Sequence, residues 1–322
     1  MNRRFAIALV VFLGAWSVSR SASVPVGAAV DQELLPEAVR QQLRESINRA
    51  KKETPGAFAV VDGLVGHFPD MKEQSLGRGT NAVFVLDRIG PDALFPLLEV
   101  LVYGSPEHAD LDADLWPEIQ CMLVVAVGRI KDPRAAPILI AVLESDLVDE
   151  SVLKQTAAAL ARLETDDGVR FLISILDDPS RPADEKRAVL WGIGNSGRLE
   201  AAERLADELR RHPKADVAIC LLDSLHYAGI RARSPSAEER TTDEQPETRR
   251  VIAEAALWAV SQYDDDTQVR DAAGIAILAA CDPETSSLIS DAKKDASPRT
   301  QVALDYLEEL WENSTTRKFC LR

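Results

Sequence analysis

The residues Gly192-Ile193-Gly194-Asn195-Ser196-Gly197 spell the glycine pattern of a dinucleotide-binding turn. That chemistry needs a strand, a tight turn, and then a helix N-terminus aimed at a pyrophosphate. Asp110, Asp112 and Asp114 alternate like the first ligands of a calcium loop. Such a loop also needs a glycine at its sixth position and a carboxylate at its twelfth, and here those places hold Leu115 and Cys121. His108 and Glu118 are further oxygen and nitrogen donors nearby, so ion binding stays open, with a solvated acidic loop as the simpler reading. The four histidines, His67, His108, His212 and His226, are scattered without helical metal-ligand spacing, and no Cys-x-x-Cys pair occurs. No nucleophile, base and orienter stand together. The expectation is a chain with no catalytic residue, no cofactor and no assigned metal site.

What these residues can do depends on the elements that carry them, and those elements repeat. Val127-Gly128-Arg129-Ile130 leads into Lys131-Asp132-Pro133-Arg134-Ala135-Ala136-Pro137-Ile138-Leu139. Thirty-three residues on, Leu160-Ala161-Arg162-Leu163 precedes a turn over Glu164 to Gly168, and a further 33 on stands Ile193-Gly194-Asn195-Ser196. Leu86-Asp87-Arg88-Ile89 is an earlier copy and Ala279-Ala280-Cys281-Asp282-Pro283 a late one. Each copy is an apolar-periodic helix, a turn rich in Gly, Asp or Pro, and a second helix. Between Ser151 and Leu163 the apolar residues Val152, Leu153, Ala157, Leu160 and Leu163 step by three and four along one stripe. Asp132 and Asp282 are read as N-caps before a proline at the first helical position. Asp264-Asp265-Asp266 reads as the cap of the helix holding Val269 and Arg270. The glycine hexapeptide falls in phase with neighbouring helix-turn-helix junctions, so Arg187 to Trp191 is predicted helical and the nucleotide reading loses its strand. Lys154, Arg187 and Arg270 are expected to tie one repeat to the next.

Gly128, Ile130, Asp132, Pro133 and the run Ala135 to Leu139 resemble the short HEAT-like repeat found in bacterial adaptors and phycobilin-lyase subunits. The resemblance implies an all-α fold, a right-handed α-solenoid of stacked helical hairpins of the HEAT/armadillo type. Its expected extent is 73–313, with loop insertions at 103–117 and 231–247. A helical cap over 24–72 and a tail over 314–322 flank it. Stacked helices lie roughly 8–10 Å apart, so Cys121 and Cys220, three repeats apart, are too distant for a disulfide and are expected as free, buried thiols. Cys281 and Cys320 can meet only if the tail folds back, and that pairing stays open.

The first 23 residues read as a signal peptide. Arg3 and Arg4 precede an apolar core from Phe5 to Val18, and Ser21-Ala22-Ser23 offers the small residues of a cleavage site. The core is short for a membrane span. The chain carries a net charge of −15, and loss of this segment, with three arginines and no acid, deepens it. So acidic a surface repels phosphate backbones and anionic lipids. The function expected is a non-enzymatic protein-interaction scaffold or adaptor in the bacterial periplasm or outside the cell. It would bind a protein or peptide partner, with no nucleic acid and no membrane insertion of the mature chain. An enzyme-complex subunit of bilin-lyase type and a calcium-dependent surface module are the alternatives. Trp116, Trp191, Trp258 and Trp311 are candidate anchors where exposed.

Overall fold

In the computed structural model, which describes residues 25–71, 78–233 and 244–320, every regular element among the described residues is a helix. The helices run in consecutive antiparallel pairs. They are α1 (Glu37–Glu53) and α2 (Pro55–Gly66), α3 (Arg78–Ile89) and α4 (Leu94–Tyr103), and α5 (Trp116–Ile130) and α6 (Ala136–Leu143). Next come α7 (Glu150–Arg162) and α8 (Asp166–Asp177), α9 (Ala183–Ile193) and α10 (Leu199–Arg210), and α11 (Ala215–Ala232) and α12 (Glu244–Gln262). The last are α13 (Thr267–Ala280) and α14 (Thr285–Lys294), then α15 (Pro298–Asn313) and the short α16 (Thr315–Cys320).

The hairpin turn is built the same way in successive copies. Lys131, Glu164 and Gly197, spaced by 33 residues, all take the left-handed conformation, with φ of 57°, 57° and 61°. A left-handed residue after the last helical turn stops the helix and lets the chain reverse. Only one of the three is glycine, so the turn is imposed by the packing around it. Helix starts are closed by short polar side chains. The Asp149 carboxylate accepts from the Val152 amide (3.0 Å), and the Thr165 hydroxyl from the Gly168 amide (3.2 Å). Asp266 accepts from the amides of Gln268 and Val269, as its sequence context predicts. Each such cap contributes on the order of 1 kcal/mol. Asp132 caps a short 3-10 turn at Pro133–Ala135 that leads into α6. Asp282 differs from expectation: it accepts from the Glu284 amide at 2.7 Å, but the helix begins at Thr285, not at Pro283.

Helices α3, α5, α7, α9, α11 and α13 stack as one layer, and their partners form the other. The odd layer is held at short range by small residues. A Cβ added at Gly128 would lie 2.6 Å from the Ala159 Cα, one at Gly192 2.5 Å from the Ala158 nitrogen, and one at Gly229 2.7 Å from the Ala279 carbonyl carbon. Neighbouring even helices from α6 to α10 touch only sparsely. Leu123, Val127, Leu139, Leu160, Leu172, Val189, Leu205 and Leu225 fill the seam between the layers and are buried.

Two boundaries move. The expected insertion over 103–117 is a compact run of two 3-10 turns, and Trp116 and Pro117 already belong to the first turn of α5. The segment before α1 packs back on it: the Ala29 amide donates to the Leu101 carbonyl (2.8 Å) and the Ser105 amide to the Val26 carbonyl (2.8 Å). The insertion over 231–247 shrinks, because α11 continues to Ala232 and α12 starts at Glu244; residues 234–243 and the expected signal peptide, 1–23, lie outside the described residues. The tail folds back as α16, and a disulfide joins Cys281 to Cys320 across a Cα separation of 5.2 Å.

Candidate functional site

Most residues singled out for chemistry are occupied with packing. In the glycine hexapeptide, Gly192 sits in the last turn of α9 against α7. A Cβ on Gly194 would meet the Ser224 carbonyl oxygen at 2.0 Å, and Gly197 is the left-handed turn residue. A helix precedes this turn, so the strand that pyrophosphate binding needs is absent at that place. Asp110, Asp112 and Asp114 are exposed. Asp112 accepts from the Asp114 amide, and His108 turns its Nε2 to Asp62 Oδ1 (2.8 Å). No group of three potential metal ligands converges among the described residues. Arg187 does reach the previous repeat, 3.6 Å from Glu150. Lys154 pairs instead within its own helix, also with Glu150, and Arg270 lies over the Tyr306 ring of α15. Cys121 and Cys220 are free as expected but half-buried, not sealed in the core. Burial holds both thiols above their usual range. Trp311 and Trp116 are core residues, whereas Trp191 and Trp258 are only half-buried.

A different set of side chains converges on the odd layer. A cavity of about 460 Å³ is lined by Asp87, Val125, Gly128, Arg129, Lys131, Arg162 and Arg231. The C-terminal parts of α3, α5, α7 and α11 supply them, with Lys131 just beyond the end of α5. Arg129 and Arg162 occupy the same place in successive repeats, and Asn195 the next: each is third in the four-residue run before the turn. Lateral stacking turns that register into a row, in which Arg162 Nε donates to Asn195 Oδ1 (3.2 Å). Two of the cations are neutralised. Arg129 makes a two-pronged pair with Asp87, at 2.9 and 2.6 Å, and Lys131 pairs with Glu164 at 2.9 Å, again 33 residues apart. Arg162 and Arg231 have no carboxylate within ion-pair distance among the described residues. Burial, together with repulsion from Arg231 and Arg129, pulls the Arg162 guanidinium down to about 10. An Arg depressed that far sits in a poorly hydrated place with surplus like charge.

An aromatic pair lies near Arg162, outside the cavity lining. Tyr227 on α11 is close enough to act electrostatically on Arg162. Its ring meets Trp191 edge-on, with centroids 6.3 Å apart. Tyr227 and Ile230 are among the exposed large apolar residues. Arginine, tryptophan and tyrosine side by side are the residue types that carry most binding energy in protein interfaces. The sequence contained one signal of this site, the alignment of Arg129, Arg162 and Asn195 at one repeat position. Arg231 had none, since it lies outside that register.

A family model described as the PBS lyase HEAT-like repeat matches residues 119–145, spanning most of α5, the Asp132-Pro133 turn and α6. The chain is thus an all-α fold that carries a HEAT-like repeat of this type. No curated protein matches the chain. Among solved structures, that of human deoxyhypusine hydroxylase in complex with glycerol is similar over 81% of this chain and 99% of that one, with 14% identity and a TM-score of 0.34. So loose a superposition transfers no residue from one protein to the other.

Proposed function

We propose that this protein is a non-enzymatic interaction scaffold or adaptor that works outside the cytoplasm and holds a protein partner against its odd-numbered helices. The observation that carries the reading is the contiguous patch of Arg129, Arg162, Trp191, Tyr227 and Arg231, which spans four helices that pack as a stack. A flat array with only solvated charge on that layer would give a partner nothing to desolvate. Here aromatic faces lie near Arg162 and Arg231, which have no carboxylate partner among the described residues, and their burial by a partner removes apolar area from water and satisfies charge together. Location outside the cytoplasm draws support from the Cys281–Cys320 disulfide, a bond that persists in oxidising compartments and is rare in reducing ones.

The test places a photo-crosslinking amino acid at position 227, and separately at position 170 on α8, where Arg170 is exposed on the other layer. Both variants are expressed in the source cells. A discrete crosslinked protein is expected from position 227 and not from position 170. Equal adducts from both positions, or none from either, would overturn the reading.

A further inference from the structure

We infer that the cavity between Arg129, Arg162 and Arg231 is a binding site for a carboxylate side chain of the partner, an Asp or Glu presented on a short acidic and aromatic segment. This rests on the scaffold reading above and names the chemistry of its contact. The argument begins from charge. Of the four cations lining the cavity, two are matched by Asp87 and Glu164. Arg162 and Arg231 remain without a carboxylate partner among the described residues, where the side-chain bond of Arg162 is to a neutral amide, Asn195. Arg231 and Arg162 are close enough to repel each other, and an anion placed between them relieves that repulsion. The guanidinium fork matches a planar carboxylate through two parallel hydrogen bonds.

Size and surroundings narrow the anion. A cavity of about 460 Å³ accommodates a side chain or two, not a polymer. A chain with net charge −15 repels an extended polyanion such as a nucleic acid or an anionic membrane long before local contacts form. It tolerates one or two carboxylates delivered on an otherwise neutral segment. Val125 on the wall gives such a segment an apolar contact, and the Tyr227–Trp191 ring pair, outside the lining but near enough for Tyr227 to act on Arg162, gives it an aromatic one that a free inorganic anion cannot use.

The experiment measures thermal stability of the full mature chain with the capped pentapeptide acetyl-Ala-Glu-Tyr-Glu-Ala-amide, its glutamine counterpart, or inorganic phosphate at equal concentration. The variants are Arg162→Gln, which removes the charge but keeps a donor towards Asn195, and Arg170→Gln on the other layer. The glutamate peptide is expected to raise the Tm of the wild type and of Arg170→Gln, and the glutamine peptide to leave it unchanged. Arg162→Gln should lose the response by tenfold or more in apparent affinity, while melting at or above the wild-type temperature without ligand, because like-charge repulsion is gone. A shift with phosphate equal to that with the glutamate peptide would overturn the assignment to a protein carboxylate. So would an unchanged peptide response in Arg162→Gln. If crosslinking from position 227 succeeds while the peptide has no effect, this inference falls and the scaffold reading stands; if the peptide binds and no partner crosslinks, the scaffold reading falls, and with it the assignment of the carboxylate to a partner.

Discussion

At the residue scale, the glycines of the hexapeptide separate a packing role from a turn role. Gly192 faces backbone: a Cβ there would lie 2.5 Å from the Ala158 nitrogen and 2.7 Å from the Ala157 carbonyl carbon. Backbone cannot step aside as a flexible side chain can, so Gly192→Ala must push α9 away from α7. A cost of about 1–3 kcal/mol is expected, the usual range for overpacking. Gly197 is different. It holds φ of 61°, but its counterparts Lys131 and Glu164 hold φ of 57° with full side chains. Gly197→Ala should therefore cost about 1 kcal/mol, the left-handed penalty alone. Urea unfolding of both variants checks the order, and a larger loss for Gly197→Ala would contradict this account of the turn. Their phase with the repeat made the packing role of these glycines legible in the sequence. The arginine cluster was not legible in the same way. Arg129 and Arg162 look like ordinary basic residues near helix C-termini, and their convergence with Arg231 depends on how far apart the stack holds α5, α7 and α11.

At the scale of elements, the final helix is the one whose place the periodicity did not settle. The repeat ends with α15, and the six residues of α16, with Phe319 as the one large apolar residue, are too few to show a periodic stripe. Local chemistry turns the chain: the Ser314 hydroxyl accepts from the Arg317 amide (3.1 Å) and caps α16, which brings Cys320 to Cys281 at the end of α13. Cys281 itself is held by the turn, with φ of 56°, and its carbonyl accepts from the Arg249 guanidinium of α12. The crosslink closes a loop of 39 residues. In the chain-entropy account such a loop contributes about 4 kcal/mol, with 2–4 typical of measured bridges. In a repeat array each unit leans on its neighbours alone, so that stabilisation stays local. Reduction should thus release amide protection in α15 and α16, and lower the Tm, while α5 to α9 keep theirs. Hydrogen exchange of oxidised and reduced protein reads both. Equal loss of protection along the whole array would contradict the local account.

At the scale of the whole molecule, the layered stack follows from a 33-residue period, and that period was visible without coordinates. Which layer carries the proposed binding surface was not, because exposure of Tyr227 and the shared cavity arise only when four hairpins are in place. The same stack sets a balance of fields. Net charge of −15 is spread over the body, while two surplus guanidinium groups sit together at one cavity. For an acidic segment the two act in opposite directions. The body repels it over distances of a Debye length, about 8 Å at physiological ionic strength, and the cavity attracts it at contact. Salt screens the distant repulsion first and weakens the desolvated contact less. A binding site on a basic protein would lose affinity for an acidic peptide steeply as salt rises. Here the affinity for acetyl-Ala-Glu-Tyr-Glu-Ala-amide should change by no more than about threefold between 20 and 150 mM salt, because the two screening effects offset each other. Titration calorimetry across that range measures it. A tenfold loss would mean that the local cations act through long-range attraction after all, and that the acidic body contributes nothing to how a partner approaches.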